Sequence, residues 1–379
     1  MEKNNKTLNV PHLRFPEFSG EWEIHKLSEY LDFKNGLNPD AKRFGRGLPF
    51  ISVMDILADR VVCYDNIRAK VEATDKEIEC FGVNKGDLLF QRSSETFEDV
   101  GRANVYMDNR TAIYGGFVIR GRKIGNYDPL FFKYLLATPL ARKRTCRMGA
   151  GAQHFNIGQE GLSKISLHFP SIEEQSKIAN LFSLIDERVE TQKKIIEKYE
   201  SLIRGLCENL TRQGTANKTI NECLECHSST LQESSVLEDD KYPVYGATGV
   251  CGYTDTPYVS GDGILIIKDG ASVGATSYAE GCYSAIGTLN RLTAKQGINL
   301  RYAYYCLKVM NFAPYKTGLA IPHIYFKDYG KHKIWCPSFE QQSYIADILT
   351  KIDNKIQIEK SLLECLNSQK RYMLNQLFI

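Results

Sequence analysis

The chain has 379 residues, of which 43% are hydrophobic and 25% charged, with 48 lysines and arginines against 45 aspartates and glutamates. Such a length predicts two or three domains with ordinary cores. A net charge of +3 excludes a uniformly basic nucleic-acid binder, so any polyanion contact has to come from local clusters. No apolar run reaches the roughly eighteen residues of a membrane helix. The basic start, Met1 to Phe18, has no apolar segment behind it and does not read as a secretory signal, so a cytosolic protein is expected.

In chain order, residues 1–168 hold a basic surplus, 25 against 21. They show short strand patterns at GDLLF (from Gly86), NVYM (from Asn104) and AIYGGFVIR (from Ala112), then a helical pattern over Leu130–Arg144. Residues 169–212 open with PSIEEQSKIA at Pro170 and continue as one long helical pattern. Residues 213–335 return to strands at GILIIK (from Gly263), ATSYA (from Ala275) and IGTLNRLTA (from Ile286), followed by a helix over Leu300–Met310. Residues 336–379 open with PSFEQQSYIA at Pro337 and run on as a second long helix. The expected fold is α+β: two pseudo-repeated modules, 1–168 and 213–335, separated by two long helices, 169–212 and 336–379.

The repeat is measurable. Laid over one another at an offset of 167, residues 169–206 and 336–373 agree at 13 of 38 positions. Ser171 and Ser338, each ahead of glutamate, suit helix N-termini. Both runs carry a heptad. In the first, the seam comprises Ile178, Ile185, Gln192, Tyr199 and Leu206 with Phe182, Val189, Ile196 and Ile203. In the second it comprises Ile345, Ile352, Glu359, Leu366 and Met373 with Leu349, Ile356, Leu363 and Lys370. Two unrelated surface helices are the bland alternative; the shared register favours partners. The one position polar in both main series is the middle one, so Gln192 and Glu359 are expected to be neighbours in an antiparallel coiled coil, with the amide donating to the carboxylate.

The repeat reaches upstream. Gly86-Asp87 answers Gly261-Asp262, Val100-Gly101 answers Val273-Gly274, Gly151 answers Gly318, and Leu48–Ser52 resembles Tyr242–Gly246. Equivalent strands are followed by a basic residue, Arg92 after Gln91 in one module and Lys268 in the other, with Ser272 nearby. Arg and Lys can reach guanine or phosphate, and Gln suits adenine. Arg102 joins this set. Arg142, Lys143, Arg144 and Arg147 precede the glycine-rich turn with Gln153 and His154, and Lys316 and His323 flank its counterpart. These residues are the candidate DNA contacts, a solvated surface charge being the alternative for each.

Catalytic signatures are missing. There is no phosphate loop, dinucleotide fingerprint, zinc-protease motif or nucleophile elbow, and no amino-methyltransferase loop. Of the eleven cysteines, Cys223 and Cys226 with His227 spell a haem-attachment pattern, but that chemistry needs export and no second pair completes a zinc site. Neither a metal nor a cofactor is expected on this chain.

The phrase Pro11-His-Leu-Arg14-Phe-Pro16-Glu-Phe-Ser-Gly20-Glu-Trp22, the two P-x-x-E-Q-x-x-I-A-like helix starts and the two-module layout resemble the specificity subunits of type I restriction–modification systems. The resemblance spans essentially the whole chain. It implies a non-catalytic subunit whose two target-recognition domains each read one half of a split DNA sequence. It also implies long helices that set the spacing and dock two methylation subunits. Those subunits would carry S-adenosylmethionine, and restriction subunits in the full complex would carry ATP and Mg. Two other classes fit the residues taken alone, a coiled-coil scaffold joining protein-binding modules and a DNA enzyme with an unrecognised site.

Overall fold

The computed structural model describes residues 9–151, 153–318 and 320–379. The first eight residues of the basic start lie outside the described residues, as do Ala152 and Leu319 within two of the candidate loops. Two compact units are present, Met1–Thr191 with Leu363–Ile379, and Gln192–Leu362. Each module is thus built together with part of both long helices.

In the first unit, β1 (Glu23–Lys26) pairs with β12 (Ser166–Phe169). An antiparallel sheet is ordered β2 (Leu31–Asn35), β10 (Val118–Lys123), β6 (Leu88–Gln91), β8 (Ala103–Val105). A second sheet is ordered β4 (Lys70–Val71), β3 (Phe44–Ile51), β9 (Ala112–Tyr114), β5 (Gly82–Val83), with β3 and β9 parallel. A short pair joins β7 (Ser93–Ser94) to β11 (Phe155–Asn156).

The second unit repeats this connectivity. β13 (Lys218–Thr219) pairs with β22 (Lys333–Ile334). One sheet runs β14 (Leu224–Ser228), β21 (Leu289–Ala294), β18 (Gly263–Ile267), β19 (Thr276–Ala279). The other runs β16 (Gly249–Thr254), β15 (Tyr242–Gly246), β20 (Cys282–Ala285), β17 (Val259–Ser260), and its parallel pair is again the equivalent one, β15 with β20. The register aligns Pro49, Phe50 and Ile51 with Pro243, Val244 and Tyr245. It corrects one upstream match: Leu88 pairs with Gly121 as Ile264 does with Leu292, so Asp87 corresponds to Gly263, not to Asp262. The second module has one more residue between its turn glycine and its strand.

Two predicted elements are divided. The helix expected over Leu130–Arg144 is two helices, Pro129–Ala137 and Pro139–Cys146. Pro139 cannot donate to the preceding turn, and Thr138 caps the new start by accepting from the amide of Ala141 at 3.3 Å. The pattern AIYGGFVIR is split into β9 and β10 by Gly115-Gly116-Phe117, because the two strands lie in different sheets.

Both long helices span 39 residues, Ile172–Leu210 and Phe339–Leu377. Their starts explain the duplicated phrase. Ser171 Oγ accepts from the amide of Glu174 at 3.4 Å, and Ser338 Oγ from that of Gln341 at 3.3 Å. Buried Gln175 donates to the carbonyl of Pro170 at 3.0 Å and accepts from the amide of Asp128 at 3.1 Å. Buried Gln342 donates to Pro337 at 2.9 Å and accepts from Asn299 at 2.9 Å. Asp128 and Asn299 are themselves the N-caps of the module helices Pro129–Ala137 and Leu300–Lys308. Each glutamine therefore ties a long helix to the start of a module helix and leaves neither buried polar group unpaired.

The helix pair runs antiparallel in both units. In the first, Ile178 and Phe182 share a core with Leu377 and Phe378, with Ile185 and Met373 at its margin. In the second, Ile203 shares a core with Ile345, Leu349 and Ile356, with Tyr199, Leu206 and Ile352 at its margin. Val189, Ile196 and Leu366 are buried, and Leu363 is half-buried. Gln192 Nε2 donates to the Glu359 carboxylate at 2.5 Å and to its backbone carbonyl at 3.0 Å. Lys355, 2.5 Å from Glu359, and then the Gln192 amide hold that carboxyl below its ordinary range.

The N-terminal phrase has no counterpart in the second unit. Arg14 donates to both oxygens of Glu174, at 2.8 and 2.7 Å, and Glu174 is only 1% exposed. Trp22 packs edge-on against Phe131 and Phe378, with centroids 6.1 and 6.2 Å away. Where the second helix has Gln341, the first needs an acid for this clamp.

Removing Arg14 leaves a buried carboxylate without its charged partner. Arg14→Ala is expected to destabilise the first unit by about 3–5 kcal/mol, read as a shifted denaturant midpoint for that unit. Gln192→Leu combined with Glu359→Leu should raise the melting temperature while loosening helix register. The second effect is read as reduced disulfide trapping between cysteines placed at Ile178 and Met373.

Candidate nucleic-acid interface

The candidate site of each unit lies where the central strand of its first sheet ends. In the first module β6 ends at Gln91. Arg92 follows; its amide donates to the carbonyl of Phe117 at 2.9 Å, and its carbonyl accepts from Ile157 at 2.9 Å. In the second module β18 ends at Ile267. The amide of Lys268 donates to Thr288 at 3.0 Å and its carbonyl accepts from Ile324 at 2.9 Å. Gly101 donates to Gln91 as Gly274 donates to Ile267. Arg92 and Lys268 thus occupy the same backbone frame.

A hairpin is pinned beside each basic residue. Ala150 pairs with Asn156, and Thr317 with His323. Both hairpins turn through a glycine of positive φ, Gly151 at 139° and Gly318 at 89°. A Cβ on Gly151 would lie 2.0 Å from the carbonyl oxygen of His154, and one on Gly318 would lie 2.4 Å from that of Ile321, so neither position accepts a side chain. The frame is common and the cross-links differ. Ser93 donates to Asn156 in the first module, whereas Asp269 meets His323 Nδ1 at 2.6 Å in the second. The second module therefore offers an imidazole there, whereas the first offers an amide and a hydroxyl.

The family profile for the type I restriction modification DNA specificity domain matches residues 19–201 and 214–368, most of the chain and both modules. The chain belongs to this specificity family. The MjaVIII specificity subunit of Methanocaldococcus jannaschii is 34% identical, over 99% of this chain and 95% of that relative. The EcoprrI specificity subunit of Escherichia coli is 32% identical over 36% of this chain, and the matched part is 35% of its own length. The crystal structure of the type I restriction-modification S subunit from M. genitalium is 20% identical, with a TM-score of 0.66 over 98% of this chain and 99% of that one, and shares the fold. No helix among the described residues is long and apolar enough to cross a membrane.

Within this specificity-family chain the expected contacts separate by environment. Gln153, His154 and Arg147 are exposed on and beside the first hairpin, and Lys316 and Ser272 are exposed around the second. Arg92, Lys268 and His323 are half-buried. Arg92 Nη1 donates to the Gly116 carbonyl at 3.3 Å, which fixes the guanidinium. Arg102 is exposed and paired with Asp99 at 3.0 Å.

Two expected contacts are engaged within the module. Gln91 is 4% exposed, and its amide donates to the carbonyl of Ser93 at 2.9 Å, so it braces the turn. Arg144 donates to the Ser166 carbonyl and so ties its helix to β12. Arg142, from the same basic cluster, donates to Glu98 and Val100 at 2.8 and 2.7 Å, and burial pulls its guanidinium below the usual range. Half of that cluster thus bonds to carbonyls of its own module. Cys223 and Cys226 sit in the second core, their thiols pushed up by burial to about 12 and about 11, and His227 Nε2 lies 2.9 Å from Thr293 Oγ1.

One surface residue escaped the sequence reading. Phe117, next to Arg92 and 68% exposed, was absorbed into a strand pattern. The glycine pair ahead of it is the signal that marks it as a turn residue.

Arg92→Ala and Lys268→Ala are each expected to weaken DNA binding by about 1–3 kcal/mol at the cognate sequence if the side chain contacts a base. Titrations at several salt concentrations check this. A phosphate contact would instead weaken all sequences alike and reduce the salt slope by about one.

Proposed function

We propose that this chain is the DNA-reading subunit of a type I restriction–modification complex and that each module reads one half of a bipartite target. The observation that carries the reading is the doubled frame. Two modules of the same topology set a basic residue and a glycine hairpin in the same hydrogen-bond pattern, while the side chains around them differ, Ser93 and Asn156 against Asp269 and His323. A shared frame with different readers is what an asymmetric two-part sequence requires.

The long helices fix the number of unread base pairs between the two halves. Thirty-nine residues of α-helix rise about 58 Å, against roughly 34–36 Å per turn of DNA. Their outer faces dock the methylation subunits, two per chain as a two-module frame suggests, and restriction subunits join the full complex. The chain carries no catalytic group of its own in this scheme. S-adenosylmethionine serves the methylation subunits, and ATP with Mg serves the restriction subunits.

Exchange of residues 213–335 for the same module of a relative, followed by sequencing of methylated bases in the host genome, tests the reading. One half-site should change while the other half and the gap persist. Alteration of both halves would overturn the independent-module scheme.

A further inference from the structure

Phe117 is a large apolar side chain, 68% exposed, on a turn held by several hydrogen bonds. The turn is closed by the amide of Val118 donating to Gly115 at 2.9 Å. Its glycines are packed against the Phe50 ring and the Asn38 side chain, and Gly36 packs against the turn's own backbone. A Cβ on Gly36 would lie 2.1 Å from the oxygen of Gly115, and one on Gly116 would lie 1.9 Å from Asn38 Oδ1. Arg92 holds the turn twice, through its amide to the Phe117 carbonyl and its guanidinium to the Gly116 carbonyl. A phenyl ring left in water contributes nothing to the stability of the module. A rigid support beside a fixed guanidinium suits a ligand that offers an apolar group next to hydrogen-bond acceptors. In the second module the equivalent turn is closed by Leu289 donating to Ile286 at 3.0 Å, and it carries a half-buried Thr288 in place of an exposed ring.

A DNA major groove offers one apolar group, the 5-methyl of thymine, beside the O6 and N7 acceptors that an arginine takes. We propose that Phe117 is a specificity-determining residue of the first module that reads a thymine through its 5-methyl group, at a base pair adjoining the one contacted by Arg92. The assignment rests on the DNA-reading function above and names one element of its code.

The test uses the chain assembled with its methylation subunits. Duplexes carry the first module's half-site with each thymine, on either strand, replaced singly by deoxyuridine, which lacks only the methyl. Wild type should lose about fourfold in affinity at one such position, the worth of one buried methyl. Phe117→Ala should bind the thymine and uracil duplexes equally at that position. Phe117→Leu, which keeps an apolar contact, should retain part of the discrimination.

Indifference of the wild type to every uracil, unchanged discrimination by Phe117→Ala, or a half-site without thymine would each overturn the proposal. So would an equal loss on all sequences, which would make the ring a non-specific wedge. These results leave the wild-type complex binding its target. Failure of the wild-type complex to prefer any sequence would instead remove the DNA-reading function itself, and the proposal with it.

Discussion

Everything in this fold hangs on a buried glutamine five residues after the proline that precedes each long helix. A glutamine can donate and accept at once, and both capacities are used. One bond closes the chain onto the helix start, and the other takes the amide at the cap of the module helix. An aliphatic residue there would leave a backbone amide and a carbonyl buried without partners. A glutamate could accept but not donate. The serine beside it reinforces the same joint, Ser176 bonding to Asp128 and Ser343 to Asn299. The module helix and the long helix are therefore joined by the same pair of bonds in both copies. The β-elements between them carry no such demand, and there the sequences have drifted apart.

That division explains what could be read in advance. The helix pair was legible because its constraint is local and periodic: a cap, a glutamine and a heptad. Central placement of Gln192 and Glu359 was legible for the same reason. The module topology was not. Strands of two residues, such as Lys70–Val71 and Gly82–Val83, leave almost no pattern, and their partners lie far away in sequence. The offset between Asp87 and Asp262 arose in the same way. A glycine–aspartate pair looks like a fixed landmark, yet pairing with Gly121 and Leu292 decides the register.

The candidate surface was half legible for a different reason. Strand ends with a basic residue can be spotted in sequence, and here the backbone frames around Arg92 and Lys268 coincide. Burial of the neighbour cannot be spotted, since Gln91 differs from an exposed glutamine only in what covers it. The arginines at 142 and 144 teach the same lesson. A basic cluster announces itself by charge, but an arginine also offers five donors to orphan carbonyls, and two of this cluster are spent that way. Phe117 is the converse case, an apolar residue whose pattern said strand while its preceding glycines said turn.

The joint made by Arg14, Trp22, Leu377 and Phe378 bears on how the chain comes off the ribosome. The second unit is continuous in sequence, Gln192–Leu362, whereas the first is interrupted and takes in Leu363–Ile379. Its aromatic core stays open on one side until Phe378 arrives. Domains fold as units during synthesis, and the earlier one usually finishes first. Here the order of completion is inverted. The module made second can close while the module made first still waits, its Trp22 and Phe182 without their contacts to Phe378, for the end of a helix not yet translated.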